Sequence, residues 1–283
     1  MLQNMLLLIS MAVGLMLIAS FLLGQYWNKA TIYKLENTLL QSVKISPVKK
    51  VDFASFSLLP EPVARYFRYA LTDGQPIVTV MKIRQTGMLR TNTITDKWMR
   101  FTANQLVVPS ARGFIWNAKI ATPLKTHINV LDAYIAGVGS GRVSLLSAIV
   151  IGSETGGQEL NSGALYRYLA EAVWYPTALL PESGVVWTAI NGQTALATLK
   201  DGATSVSLEF CFNAQGEVTG IYSPERFRSV GNEYKKMPWE GHFRNYITQA
   251  GMKVPSYGEV GWYESGVWQV VWKGSVVDAQ YGD

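Results

Sequence analysis

The nineteen residues from Met5 to Leu23 carry no charge and almost no polarity. A run of this kind has one backbone solution away from water, an α-helix, because only a helix satisfies every N–H and C=O inside the segment itself. At about 1.5 Å rise per residue it spans roughly 28 Å, close to the thickness of a bilayer's hydrocarbon core. Tyr26 and Trp27 follow at the place of an interfacial aromatic belt, and Lys29 opens the polar flank. A cleaved secretory signal is the competing assignment, marked by a basic start and a small-x-small cleavage site. No Lys or Arg precedes this run, and Ala19, Ser20 and Gly24 make no clean site. Cys211, the one cysteine, lies far from the N-terminus, so lipoprotein processing is excluded. The expectation is an uncleaved transmembrane anchor over residues 1–26.

Residues 27–58 read as a juxtamembrane helix and linker. Tyr33, Leu35, Leu39, Leu40 and Val43 recur at helical spacing, and Pro47 ends the pattern. Pro62, after Leu59-Pro60-Glu61, suits the first turn of a short helix carrying Val63, Tyr66, Phe67 and Ala70.

From Pro76 the apolar period changes from helical to two. Ile77, Thr79, Met81, Ile83, Gln85, Gly87 and Leu89 share one strand face, with Lys82, Arg84, Thr86 and Arg90 on the other. The alternation repeats through Met99, Phe101, Ala103, Gln105 and Val107. It continues through Phe114, Trp116, Ala118 and Ile120, then Ile128, Val130, Asp132, Tyr134 and Ala136. Short strands with turns every ten or so residues predict an antiparallel meander. One helix interrupts it over residues 162–174, with Leu165, Tyr168, Leu169, Ala172 and Val173 as its apolar face and Pro176 closing it. Further strands are expected at Val185–Ile190, Thr194–Leu199, Ser205–Phe212, Glu217–Tyr222, Arg226–Val230, Glu259–Tyr263 and Val267–Trp272, with a second helix over Pro238–Ala250. The fold class is therefore mainly β (α+β). A single antiparallel domain with a few packed helices spans residues 59–283, behind one N-terminal transmembrane helix.

The net charge of +5 is spread along the chain, and the densest cluster is only Lys44, Lys49 and Lys50. Without a basic run interleaved with aromatics, nucleic acid is not an expected partner. Cys211 lies on the more polar face of its strand, opposite Val206, Leu208 and Phe210, and has no histidine beside it. Gly137, Gly139 and Gly141 miss the spacing of a dinucleotide loop, and the following Val143 and Leu145 look like strand, so a glycine-rich hairpin is expected. His127 and His242 share no carboxylates at ligand spacing. Glu154, Glu159 and Glu171 offer Asp132 an acid/base or calcium partner, but nothing in their spacing brings them together. No catalytic residue, metal or cofactor is expected.

The informative feature is polarity on apolar faces. Gln85, Gln105 and Asp132 point inward from three strands, and Arg167, Glu171 and Trp174 share one helical stripe at i, i+4 and i+7. A buried charge needs a partner and a buried amide needs hydrogen bonds. The helix is thus expected to pack on the sheet so that Arg167 meets Asp132 or Glu171 and the glutamines complete the network. Such a network either pins the helix or orients a ligand head group.

The run Arg167-Tyr-Leu-Ala-Glu171-Ala-Val-Trp174-Tyr-Pro176-Thr-Ala-Leu-Leu-Pro181 resembles an uncharacterised bacterial, membrane-anchored family known only as a domain of unknown function. Leu59-Pro60-Glu61-Pro62-Val63-x-Arg65-Tyr66, Trp98 with Ala103-x-Gln105, Gly113-Phe-x-Trp116, Asp132-x-Tyr134, Pro238-Trp239 and Glu259-x-x-Trp262 extend the resemblance to the C-terminus. The family brings no established activity. Its shape, a sheet wrapped over helices, is similar to the half-barrel of periplasmic lipoprotein carriers, an analogy of fold alone. That shape implies a curved half-barrel whose concave face holds a lipid or other hydrophobic ligand beside the membrane. The expected ligand-binding set is Gln85, Gln105, Trp116, Asp132, Tyr134, Arg167, Glu171 and Trp174. An envelope hydrolase using Asp132 or Glu171, and a structural partner of a membrane complex, are the alternatives. Lys29 and Lys34, partly offset by Glu36, place the domain on the cytoplasmic side, whereas the fold analogy points to the extracytoplasmic side. The side stays open, with the second expected.

Overall fold

The computed structural model describes residues 2–43, 50–91, 93, 95–231 and 233–282. Helix α1, Leu2–Gln41, leads into α2, Glu61–Ala70, and then six strands: β1 (Val80–Leu89), β2 (Met99–Val108), β3 (Gly113–Thr122), β4 (Thr126–Ile135), β5 (Val138–Leu145) and β6 (Ile149–Thr155). Helix α3, Gln158–Glu171, precedes seven more: β7 (Val185–Asn191), β8 (Thr194–Asp201), β9 (Thr204–Phe212), β10 (Val218–Val230), β11 (Glu233–Gln249), β12 (Met252–Glu264) and β13 (Val267–Gly282).

Among the described residues the thirteen strands form one antiparallel sheet, ordered β6-β5-β4-β3-β2-β1-β13-β12-β11-β10-β9-β8-β7. Two meanders are thus joined where β1 pairs with β13, and α3 sits between them in sequence. Outer strands β6 and β7 each pair on one side only, so the sheet is open. It is also curved, because α3 touches β4 and β5 in one wing and β9 and β10 in the other. The concave face holds α2, α3 and the short 3-10 turns after α3. Val63, Tyr66, Phe67 and Ala70 of α2 and Leu165, Tyr168 and Leu169 of α3 are buried there, the i, i+3, i+4 stripes that a helix must cover. The antiparallel meander expected from the alternation forms, and it curves as an open half-barrel, the shape that the family resemblance implied.

Four expectations need correction. The anchor and the juxtamembrane helix are one unbroken helix, because nothing between Met5 and Gln41 is a proline or a glycine pair that would stop it. Lys44, Pro47 and Lys49 lie outside the described residues. Pro238–Ala250 is not a helix but most of β11, where Trp239, Gly241 and Phe243 alternate inward. Pro238 is tolerated because it sits opposite a bulge: Ser223 pairs Trp239 and Arg226 pairs Met237, leaving Pro224 and Glu225 against Pro238 alone. The same bulge joins the two expected strands Glu217–Tyr222 and Arg226–Val230 into β10. Finally, the predicted helix begins earlier, at Gln158, and its last residues Ala172–Trp174 tighten into a 3-10 turn.

The outer face is not all solvent. Leu106, Val108, Ile115, Leu131 and Ala133, on the side the alternation assigns to water, are covered by Leu39 of α1. Asn28 of α1, also buried, donates to Asn129 Oδ1 at 3.2 Å, and Gln25 reaches the Leu146 carbonyl at 3.3 Å. Gly24 permits this approach, since a Cβ there would lie 2.6 Å from the Ala148 carbonyl oxygen.

Candidate functional site

Register brings the polar residues together. Gln105, Trp116 and Asp132 are successive cross-strand partners on β2, β3 and β4, so all three project from the concave face in one row. The next position, on β5, is Gly141. Glycines also let α3 approach: a Cβ on Gly139 would stand 2.8 Å from the Leu160 carbonyl oxygen. The Gly139 N–H instead donates to Asn161 Oδ1 at 2.8 Å. The glycine-rich stretch is a hairpin, as read from its spacing, and its function is close packing.

Above this row α3 presents Arg167. Its Nη1 donates to Asp132 Oδ2 at 2.8 Å and its Nε to Glu171 Oε1 at 2.7 Å. Its guanidinium lies over Trp116, 4.7 Å from the ring centroid, and over Phe114, at 5.1 Å. Behind this first layer, Gln105 Nε2 donates to Glu171 Oε2 at 2.6 Å, and the Trp116 indole donates to Gln85 Oε1 at 2.8 Å. Gln85 and Gln105 are fully buried; each holds a partner in place, Gln85 the Trp116 ring and Gln105 the Glu171 carboxylate.

Electrostatics follow from this packing. Burial lifts the Asp132 carboxyl above its ordinary range, and the Arg167 charge beside it offsets only part of that rise. For Arg167 burial works against the charge, but Glu171 and Asp132 together outweigh it and raise its pKa. Asp132 keeps 36% of its side chain exposed, against 20% for Arg167, because its outer edge faces a partly open cavity.

That cavity, about 340 Å³, lies between the sheet and α3. Its walls are mostly apolar: Leu89, Ile120, Val130 and Val260, with the rings of Trp116, Trp174, Trp239, Phe243 and Trp272. Asp132, Arg167, Glu171 and Arg226 form its polar wall, and Arg90, Thr91 and Glu259 also border it. Trp174 is wedged against Phe243 and Trp272, with ring centroids 6.3 and 6.5 Å apart.

Of the expected set, Trp116, Asp132, Arg167, Glu171 and Trp174 line the cavity, with Gln85 and Gln105 behind them. Tyr134 does not. It is buried elsewhere, donating to Asp201 Oδ2 at 2.9 Å in a cluster that Arg112 completes. It shares Asp132's face but lies two residues nearer the end of β4, where the β8–β9 hairpin closes over the sheet. Sequence reasoning missed Arg226. Beyond the bulge, strand parity inverts, so Arg226 rather than Glu225 turns inward; the bulge-marking proline, Pro224, was the available signal. Its guanidinium packs on Trp239 at 4.2 Å and Trp262 at 5.2 Å. Burial, and then the Arg167 charge, lower its pKa to about 10, so it stays cationic at neutral pH. Among the described residues, no three of His, Cys, Asp or Glu cluster to hold a metal.

An open antiparallel half-barrel with an apolar cavity and a long apolar N-terminal helix defines the class of protein. Within it the chain belongs to a family of unknown function, DUF6544, whose sequence profile matches residues 49–274. No curated protein matches it. Among solved structures it has a weak similarity to a LolA superfamily protein from Nitrosomonas europaea, with 10% identity and a TM-score of 0.44 over 82% of this chain and 94% of that one. A beta-barrel-like protein of the domain of unknown function DUF1849 from Brucella abortus matches at 10% identity with a TM-score of 0.23, over 73% of this chain and 99% of that one.

Proposed function

We propose that this is a membrane-tethered binding protein that holds a lipid or another hydrophobic amphiphile in the cavity between β1, β3, β4, β10–β13 and α3. The cavity itself carries the reading. Ligand sites are typically concave, about 300–1,000 Å³, apolar on most walls and polar at a few converging points. Here four tryptophans and a phenylalanine supply the apolar surface, and Asp132, Arg167, Glu171 and Arg226 converge on one side of it. Asp132 and Glu171 are both engaged with Arg167, an arrangement suited to a rigid wall rather than to proton transfer.

Two observations support the tether. Helix α1 is long and apolar enough to cross a membrane, a property that single-pass spans and signal sequences share. Its continuation, however, is built into the domain: Asn28 is buried against Asn129 and Leu39 is buried in the outer cluster. The same geometry orients the cavity. The β5–β6 turn beside Gly24 lies at the end of the sheet where β1 and β3 finish, near cavity residues Leu89 and Ile120. Exposed Ile149, Val150 and Ile151 adjoin that turn, and exposed Leu124 tips the β3–β4 loop at the same end. An amphiphile leaving the bilayer beside Trp27 therefore meets the cavity end of the sheet.

The test is photolabelling of the full-length protein in lipid nanodiscs with a diazirine-bearing fatty alcohol. Expected are cross-links in peptides carrying Trp116, Trp174, Trp239 or Trp272, suppressed by excess unlabelled lipid. Cross-links confined to α1 would overturn the reading.

A further inference from the structure

We infer that the amphiphile bound in this cavity carries an anionic head group, a carboxylate or a phosphate, and that Arg226 is the residue that binds it. This rests on the ligand-binding reading above and adds the chemistry of the head.

Consider the charges around the cavity and what each one touches. Arg167 is held by two carboxylates. Arg90 donates to the Val270 carbonyl and to Gln269 Oε1 and stands 3.7 Å from Asp96. Glu259 accepts from Arg244 at 3.2 Å and from the Tyr257 hydroxyl at 2.8 Å. Arg226 differs. Its Nη2 donates to the Gly163 carbonyl at 3.0 Å, and among the described residues no carboxylate is within ion-pair distance of it. A desolvated guanidinium without a counter-ion is costly, so its nearest empty space is where an anion gains most.

A second observation points the same way. Three cavity-lining side chains bury a nitrogen donor that meets no protein acceptor: Arg226 Nε, Trp239 Nε1 and Trp174 Nε1. Among the described lining residues no buried side-chain oxygen is left in that condition. These nitrogens have no surface open to the cavity, so they favour an anion through the uncompensated positive ends of their N–H dipoles rather than by direct bonds, and behind the wall one acceptor, Gln105 Oε1, is likewise unmatched. With Arg226 packed on Trp239, its Nε occluded and its Nη2 on the Gly163 carbonyl, Nη1 is the guanidinium nitrogen left for the head group, a donor that suits a carboxylate or phosphate oxygen. The charged groups facing Arg226 from neighbouring elements are Arg167 and Glu171 on α3 and Asp132 on β4. Since Arg167 already neutralises much of both carboxylates, they do not replace the missing counter-ion.

The experiment keeps the full-length protein in nanodiscs and the neutral diazirine fatty alcohol as probe. Dodecanoate, dodecyl phosphate, dodecanol and dodecyltrimethylammonium compete for labelling of the cavity peptides. A charge-assisted bond in a desolvated site corresponds to about tenfold to hundredfold in affinity, so at least one of the anions should displace the probe at a concentration lower by that factor than dodecanol. Which anion is the stronger distinguishes a fatty-acid from a phospholipid-like source. Arg226→Gln should abolish the anion preference and leave dodecanol competition unchanged, and Arg226→Lys should keep part of it, because charge remains while the fork is lost. The lysine variant decides the matter if Arg226→Gln loses its melting transition. Saturable labelling with equal competition by anion and alcohol, or stronger competition by the ammonium, overturns the head-group inference and leaves the cavity reading standing. No saturable labelling of cavity peptides overturns both.

Discussion

Replacing Arg167 with alanine removes the cation that pairs with both Asp132 and Glu171. Breaking a buried ion pair from one side costs about 3–5 kcal/mol. Two features of this site set where in that range the value falls. Arg167 also lies on Trp116 and Phe114, and each desolvated cation–π contact adds roughly 1–2 kcal/mol. Against this, Glu171 keeps its bond from Gln105, and Asp132 faces the cavity and takes up a proton more readily than an ordinary aspartate. The two corrections act in opposite directions and leave the loss at about 3–5 kcal/mol at pH 7, or a drop of about 6–20 °C in Tm for a domain of this size. The pH dependence has a definite sign. Without Arg167, the folded state holds the Asp132 proton more tightly than the unfolded chain does, so stability falls as pH rises above the ordinary value of 3.8. The deficit of the variant should therefore shrink on going from pH 7 to pH 5. Thermal unfolding of the full-length protein at both pH values measures this. Adding Asp132→Asn to Arg167→Ala should recover part of the loss at neutral pH. A single variant that melts like wild type at pH 7, or whose deficit grows towards pH 5, would refute the buried-network reasoning.

Three further outcomes are expected. Gly139→Ala forces a methyl against the Leu160 carbonyl oxygen and should cost roughly 1–3 kcal/mol, read by thermal unfolding; unchanged Tm would mean that α3 does not pack as described. Asn129→Leu strips Asn28 of its acceptor and Asn117 of its donor, at about 1–3 kcal/mol in chemical denaturation, and the double replacement Asn28→Leu/Asn129→Leu should restore much of it. The mature protein should keep residues 1–26 and sediment with membranes, which intact-mass measurement checks; an N-terminus near residues 21–31 with a soluble product would remove the tether.

Much of the site was legible from two local periods. Strand side chains alternate at every residue, so Gln85, Gln105 and Asp132 were placed inward from their apolar neighbours alone, and the β2–β3–β4 hairpins then had to set their row. Helical spacing likewise put Arg167 and Glu171 within reach of one another before any fold was known. Those calculations stop where the period slips. Arg226 escaped because the extra residue at Pro224–Glu225 inverts parity, and a bulge depends on the partner strand rather than on the strand that carries it. Pro238–Ala250 was misread because its apolar residues fit more than one spacing, and pairing with β10 and β12 chose the strand.

What the chain determined by itself was its binary pattern: one apolar run that must be helical, a series of amphipathic strands, and one helix with a charged stripe. What only tertiary structure decided was which faces meet. Nothing local to Asn28 or Leu39 says that α1 continues past the apolar run and covers Leu131 and Ala133, turning a solvent face into a second core. Nothing local to Tyr134 says that Asp201, sixty-seven residues on, takes its hydroxyl and leaves Asp132 alone with Arg167. The cavity exists for the same reason. Its walls come from β1, β3, β4, β10, β11, β12, β13 and α3, brought together by the pairing of β1 with β13, which no single segment encodes.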